Sequence, residues 1–227
     1  MLQLHQAPVG AARPHELVVR AGLRDLALVD DENAIDVAHG RETVGDDQRR
    51  ASVRQLVHGF LQKTDLQGPL DPGGLKDQYD HLVQCGALIP PVENAELDWE
   101  GLAAFWSSDV GADLRTQPGK FERELPFTAR WTLKDLATLG RVPPAAKPVE
   151  EDFVILQGVV DLALFRNREI WILDHKTDDL DPAQLEDRVQ TYRPQLALYA
   201  KSLERIHHLP VTRQWIHFLS LRRTVAL

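Results

Sequence analysis

Two aspartates interrupt apolar, β-branched runs: Asp161 in GVVDLALF and Asp174 in WILDHK, with Lys176 two residues beyond the second. A carboxylate inside a strand bound for the core is costly unless something compensates its charge, so each acid requires a partner. Two such acids can hold a hard divalent cation through oxygen, and a neighbouring ammonium can orient a water or neutralise charge building on a phosphorus. That set is what metal-assisted cleavage of a phosphodiester requires. Asp174 and Lys176 project from one face of a strand. If Arg166-Asn167 is a two-residue turn, Asp161 faces residue 172 and lies on a cross-strand diagonal to Asp174. Taken without its surroundings, the same spacing is common and more often describes an Asp174–Lys176 salt bridge with Asp161 capping a turn; the surrounding residues reverse that preference.

The elements that must carry these residues are legible from periodicity. SVRQLVHGFLQK (52–63) has helical spacing, with Ser52 as its N-cap. LKDQYDHLVQCG (75–86) is a second helix ending at Gly86, and ELDWEGLAAFWSS (96–108) a third. GPLDPGG (68–74) and IPPVEN (89–94) are the breaks between them. The period then shortens. FERELPFTARW (121–131) alternates as a strand, with Pro126 consigning it to an edge or a bulge. RVPPAAKPVEED (141–152) reads as a loop, and 152–165 and 168–177 as two strongly apolar strands. Residues 182–208 form a long helix with Pro182 in its first turn and a kink or break at Pro194. VTRQWIHFLSL (211–221) is a closing strand. Helices, strands, a long helix and a strand, in that order, predict an α/β fold with a mixed central sheet flanked by helices and a helical N-terminal portion. Residues 1–50 are polar and acid-rich, with His5, His15 and His39 irregularly spaced. They read as an atypical extension, either poorly ordered or an improvised helix–loop segment, and the domain proper as 51–227.

Composition bounds the function. The net charge of −8 argues against a protein that coats nucleic acid electrostatically, so positive charge must be concentrated locally or DNA affinity supplied by a partner or bound metal. The single cysteine, Cys85, excludes a disulfide framework and a multi-cysteine metal site, and it reads as a small buried residue at a helix end. No stretch approaches the about 18 apolar residues of a membrane span, and no signal peptide is apparent, so a cytoplasmic location is expected. There is no GxxxxGK[ST] phosphate loop, and therefore no ATP-driven motor is read within the chain.

QGVVDLALF, then IWILDHKTD, then YRPQLALYAKSLE closely resembles the C-terminal nuclease domain of RecB/AddA-type helicase–nucleases, a branch of the PD-(D/E)XK superfamily. The resemblance covers about residues 51–227 and implies a restriction-endonuclease-like fold. It assigns catalysis and metal binding to Asp161, Asp174 and Lys176. His58 matches a metal-ligating histidine and Glu124 a glutamate of the preceding strand, while Gln195 and Tyr199 match a glutamine–tyrosine pair. His175 stands where an aromatic residue is commoner. Other readings stay open beside these. His58 alone would be a core histidine, Glu124 a strand-edge charge, and the face shared by Arg188, Tyr192, Gln195 and Tyr199 either helix packing or a surface that orients ligands and touches the DNA backbone. The implied activity is a Mg²⁺-dependent deoxyribonuclease, with Mn²⁺ as a substitute, acting on single strands or duplex ends in double-strand break repair. On this view the chain is a fragment, a stand-alone nuclease or a subunit working beside a separate helicase. The contrasting reading is a non-catalytic DNA-binding or assembly module of a recombination complex.

Overall fold

The structure, a computed structural model, describes residues 16–17, 44–90, 97–117, 119–138 and 153–227. His5, His15, His39, most of the 89–94 break and the 141–152 loop lie outside them. In chain order the elements are β1 (Glu16–Leu17), α1 (Val44–Lys63), α2 (Pro72–Gln84), α3 (Trp99–Ser107), α4 (Asp109–Thr116), β2 (Lys120–Thr132) and α5 (Leu133–Thr138). There follow β3 (Phe153–Phe165), β4 (Ile170–Lys176), a 3₁₀ turn (Pro182–Gln184), α6 (Leu185–His207), β5 (Val211–Phe218) and β6 (Arg223–Ala226).

The sheet is mixed, as the element order predicts, and among the described residues it has six strands, β1 and β6 being additional to the four read from the sequence. β3 pairs antiparallel with β2 along its whole length and, on its other side, with β4; β5 lies parallel to β4, connected through α6. Among the described residues β2 pairs only with β3, which places Pro126 on an edge strand. Helices cover both faces. Leu56, Phe60, Leu75, Phe105 and Trp106 pack with Leu162, Leu164, Trp171 and Leu173 on one side. On the other, Leu196, Leu198 and Leu203 of α6 pack with Val160, Ile172, Ile216 and Phe218. Each of these buried large side chains contributes about 1.5–3 kcal/mol, so the sheet is clamped between two apolar layers.

Local signals explain the boundaries, and several differ from the sequence reading. Ser52 is not an N-cap: α1 starts at Val44, because the polar stretch before Ser52 lacks the apolar spacing by which a helix is recognised yet continues the helix. Within the 68–74 break, Asp71 caps α2 by accepting from the Gly74 N–H at 3.0 Å, and Pro72 occupies the first turn. Cys85 does end that helix, but it is exposed. Ser108 caps a further short helix, α4, which the periodicity did not announce. Pro194 lies inside α6 without breaking it. The closing strand stops at Phe218, and the chain doubles back as β6. The β3–β4 connection spans four residues, with the Arg166 N–H bonded to the Glu169 carbonyl at 2.9 Å. The register is therefore Leu162 opposite Leu173, two residues away from the two-residue-turn expectation.

Candidate active site

Carried one step further, that register sets Asp161 across from Asp174 directly rather than on a diagonal. β2 brings a third acid to the same level, because Arg123 pairs with Leu162 and Leu125 with Val160, leaving Glu124 opposite Asp161. α1 lays His58 over both: its Nδ1 is 3.2 Å from Glu124 Oε1 and 3.5 Å from Asp161 Oδ1. Ligand atoms of His58, Glu124 and Asp161 all lie within 4.8 Å of one another. The second Asp161 oxygen, Oδ2, accepts from the backbone N–H of His175 at 2.6 Å, which fixes the carboxylate plane.

Charge in this cluster is strongly coupled. Burial pushes the His58 imidazole down, but the Asp161 and Glu124 carboxylates prevail and raise it to about 10. Burial likewise pushes the Asp161 carboxyl up, and the two histidines beside it, His175 and His58, hold it well below the usual carboxylate range. Two carboxylates thus call for positive charge, which the His58 proton supplies here and a cation can supply instead. The donor set fits a divalent ion: oxygen ligands suit Mg²⁺ and Mn²⁺, and an imidazole nitrogen is also a good ligand for first-row divalent metals.

Asp174 and Lys176 lie on the α6 side, and both are buried. Asp174 falls outside the three-residue cluster; its Oδ2 is 2.9 Å from Lys176 Nζ. The lysine is held from several directions. Its ammonium donates to Gln195 Oε1 at 3.1 Å and sits 4.1 Å from the centroid of the Tyr192 ring. Gln195 Nε2 in turn donates to the Tyr199 hydroxyl at 2.9 Å. Burial, with Asp174 nearby, keeps the Tyr199 phenol above its ordinary range. Tyr192 and Gln195, candidates for contact with DNA, are buried, and both touch Lys176. Arg188, one turn earlier on α6, is half-buried. Three positions that the motif did not single out also belong here. Asp178 Oδ2 accepts from the Tyr192 hydroxyl at 2.6 Å, Arg54 Nε reaches Thr177 Oγ1 at 3.4 Å, and Arg123 bonds the end of α1. An acid following DHKT is visible in sequence, but its tyrosine partner is a matter of tertiary packing.

The family model for the PD-(D/E)XK nuclease superfamily matches residues 36–224. The chain belongs to that superfamily. Among its relatives is an ATP-dependent helicase/nuclease subunit from Carboxydothermus hydrogenoformans, 31% identical over 75% of this chain and 14% of the relative. A protein of the same description from Heliobacterium modesticaldum is 32% identical over 75% of this chain and 12% of its own length. Another, from Limosilactobacillus fermentum, is 26% identical over 78% and 13%. The chain therefore spans only about an eighth of the length of these relatives, and the resemblance read from the three runs around Asp161, Asp174 and Gln195 is borne out. Among the described residues no helix is long and apolar enough to cross a membrane.

Proposed function

We propose that this PD-(D/E)XK domain is a Mg²⁺-dependent deoxyribonuclease, able to use Mn²⁺, that hydrolyses phosphodiesters at single strands or DNA ends during cytoplasmic double-strand break repair. The observation that carries this reading is the convergence of His58, Glu124 and Asp161 beside the buried Asp174–Lys176 pair. His58, Glu124, Asp161 and Asp174 are the residues that would hold the ion. When bound, the ion supplies Lewis acidity and a water of lowered pKa. The chain's own residues do the rest. The His175 N–H fixes Asp161, so the carboxylate presents a constant geometry. Lys176, paired with Asp174 and aimed by Gln195, provides a positive charge where the phosphorane would develop its own negative charge. Tyr199 orients Gln195, and Arg188 at the outer end of that face is the candidate for backbone contact.

The net charge of −8 favours a domain handed its DNA by a helicase partner over one that captures DNA unaided. The relatives' description as helicase/nuclease subunits supports the same partnership. The test is cleavage of an end-labelled single-stranded oligonucleotide with Mg²⁺ or Mn²⁺, by the wild type and by Asp174→Ala and Lys176→Ala. Cleavage by the wild type alone supports the enzyme. Metal-independent DNA binding by a folded wild type without cleavage would identify an assembly module instead.

A further inference from the structure

Consecutive residues of a regular strand point to opposite faces of its sheet. Arg123 and Glu124 are consecutive on β2, yet both reach α1. Arg123 Nη1 donates to the carbonyls of Leu61 at 2.9 Å and Thr64 at 2.5 Å, while Glu124 meets His58 at 3.2 Å. The backbone allows this because Glu124 is left-handed, with φ of 50°. That conformation is unfavourable for a residue with a Cβ and persists only where its surroundings hold it.

The disturbance extends across the strand pair. On β3, even-numbered Val154, Leu156 and Val160 pack on the α6 side, whereas Leu162 and Leu164, also even-numbered, pack against the α1–α4 helices. On β2, Leu125, Phe127 and Ala129 join the α6 side, while Phe121 packs on the other. Both strands thus change phase at the level of Glu124 and Asp161, where the acids of the cluster stand. Besides the Glu124–His58 contact, β2 is tied to α1 at this level by the half-buried Arg123 guanidinium, seated on carbonyls at the C-terminal end of the helix that carries His58. Leu61 is less than one helical turn beyond His58.

We propose that Arg123 is a positioning residue for the metal centre: its bonds to the end of α1 hold the left-handed turn at Glu124 and so bring that carboxylate to His58 and Asp161. The inference rests on the metal-centre reading given under Proposed function. Arg123→Met keeps much of the apolar stem and removes the donors; Arg123→Lys keeps the charge as a single point donor, without the planar fork.

The test is Mn²⁺ binding by the full chain, read from the loss of the free-Mn²⁺ paramagnetic resonance signal. It is applied to the wild type, both Arg123 variants, His58→Ala, and the two double variants. Arg123→Met should weaken Mn²⁺ binding by about tenfold, the lower end for residues that orient metal ligands, with Arg123→Lys in between. With His58 already removed, the Arg123 change should add less than about twofold, since the effect travels through the His58–Glu124 contact. If Arg123→Met does not fold, Arg123→Lys is held to the same two criteria. Unchanged Mn²⁺ affinity in a folded Arg123 variant, or a full effect that persists without His58, overturns the proposal while leaving the metal centre intact. No Mn²⁺ binding by the wild type overturns the metal centre itself, and this inference with it.

Discussion

The ammonium of Lys176 sits 4.1 Å from the centroid of the Tyr192 ring, and the hydroxyl of that ring donates to Asp178 Oδ2 at 2.6 Å. Asp178 lies two residues after Lys176, so the strand end that carries the lysine also locks the ring beneath it. A desolvated cation–π contact is worth about 2 kcal/mol, more than a tenfold change in an equilibrium. Tyr192→Leu should therefore lower kcat for oligonucleotide cleavage by roughly tenfold with little change in KM, since the lysine is displaced where it acts and not where substrate first binds. Tyr192→Phe, which keeps the ring, should retain most of the activity. Equal losses in the two variants would assign the effect to the Asp178 hydrogen bond.

Gly158 is the second position where packing reaches the site. A Cβ there would lie 2.7 Å from the Phe127 ring and 3.1 Å from Tyr199 Cε1. Gly158→Ala must push one of the two rings away, and overpacking of this kind costs about 1–3 kcal/mol. At roughly 2–4 °C per kcal/mol for a chain of this size, thermal denaturation should register the loss. Because Tyr199 holds Gln195, and Gln195 holds Lys176, cleavage should fall as well.

His217 gives a prediction about pH. It is buried, its Nδ1 lies 2.9 Å from Thr224 Oγ1, and burial with His175 nearby lowers its imidazole from 6.5 to about 3. The folded protein thus keeps this side chain neutral, while the unfolded chain takes up a proton below pH about 6.5. Its contribution is fully present above that pH and is lost as pH falls toward about 3. Urea midpoints of the wild type and His217→Asn, measured from pH 7.5 to 4.5, should converge toward the acid end. A constant gap would show that His217 does not titrate in the unfolding transition.

Metal binding should itself stabilise the fold, because the ion binds the assembled cluster and not the unfolded chain. Mn²⁺ should raise the wild-type melting temperature and a chelator should reverse it. Asp161→Asn, which removes the carboxylate that lies beside both the His58 and His175 rings, should abolish the shift. An equal Mn²⁺ shift in Asp161→Asn would place the ion elsewhere.

The chemistry of this chain was more legible in its sequence than the geometry was. Asp161, Asp174 and Lys176 stand out because charges inside apolar strands are conspicuous, and strand periodicity puts Asp174 and Lys176 on one face. Their register escaped, because the turn that sets it is four residues closed by an Arg166–Glu169 hydrogen bond, and Arg166-Asn167 carries the signature of a shorter one. The left-handed Glu124 has no sequence signal either: no glycine or asparagine marks it, and its conformation is imposed by contacts with α1. The extent of α1 was hidden for the opposite reason, since its first residues are polar and a helix without an apolar stripe is silent in the pattern.

A crystal soaked in Mn²⁺ and measured at an X-ray energy where manganese scatters anomalously tests the central claim most directly. The account predicts an anomalous peak bounded by His58, Glu124 and Asp161, on the side facing Asp174. Anomalous density confined to other parts of the molecule, or none at saturating Mn²⁺, would contradict it.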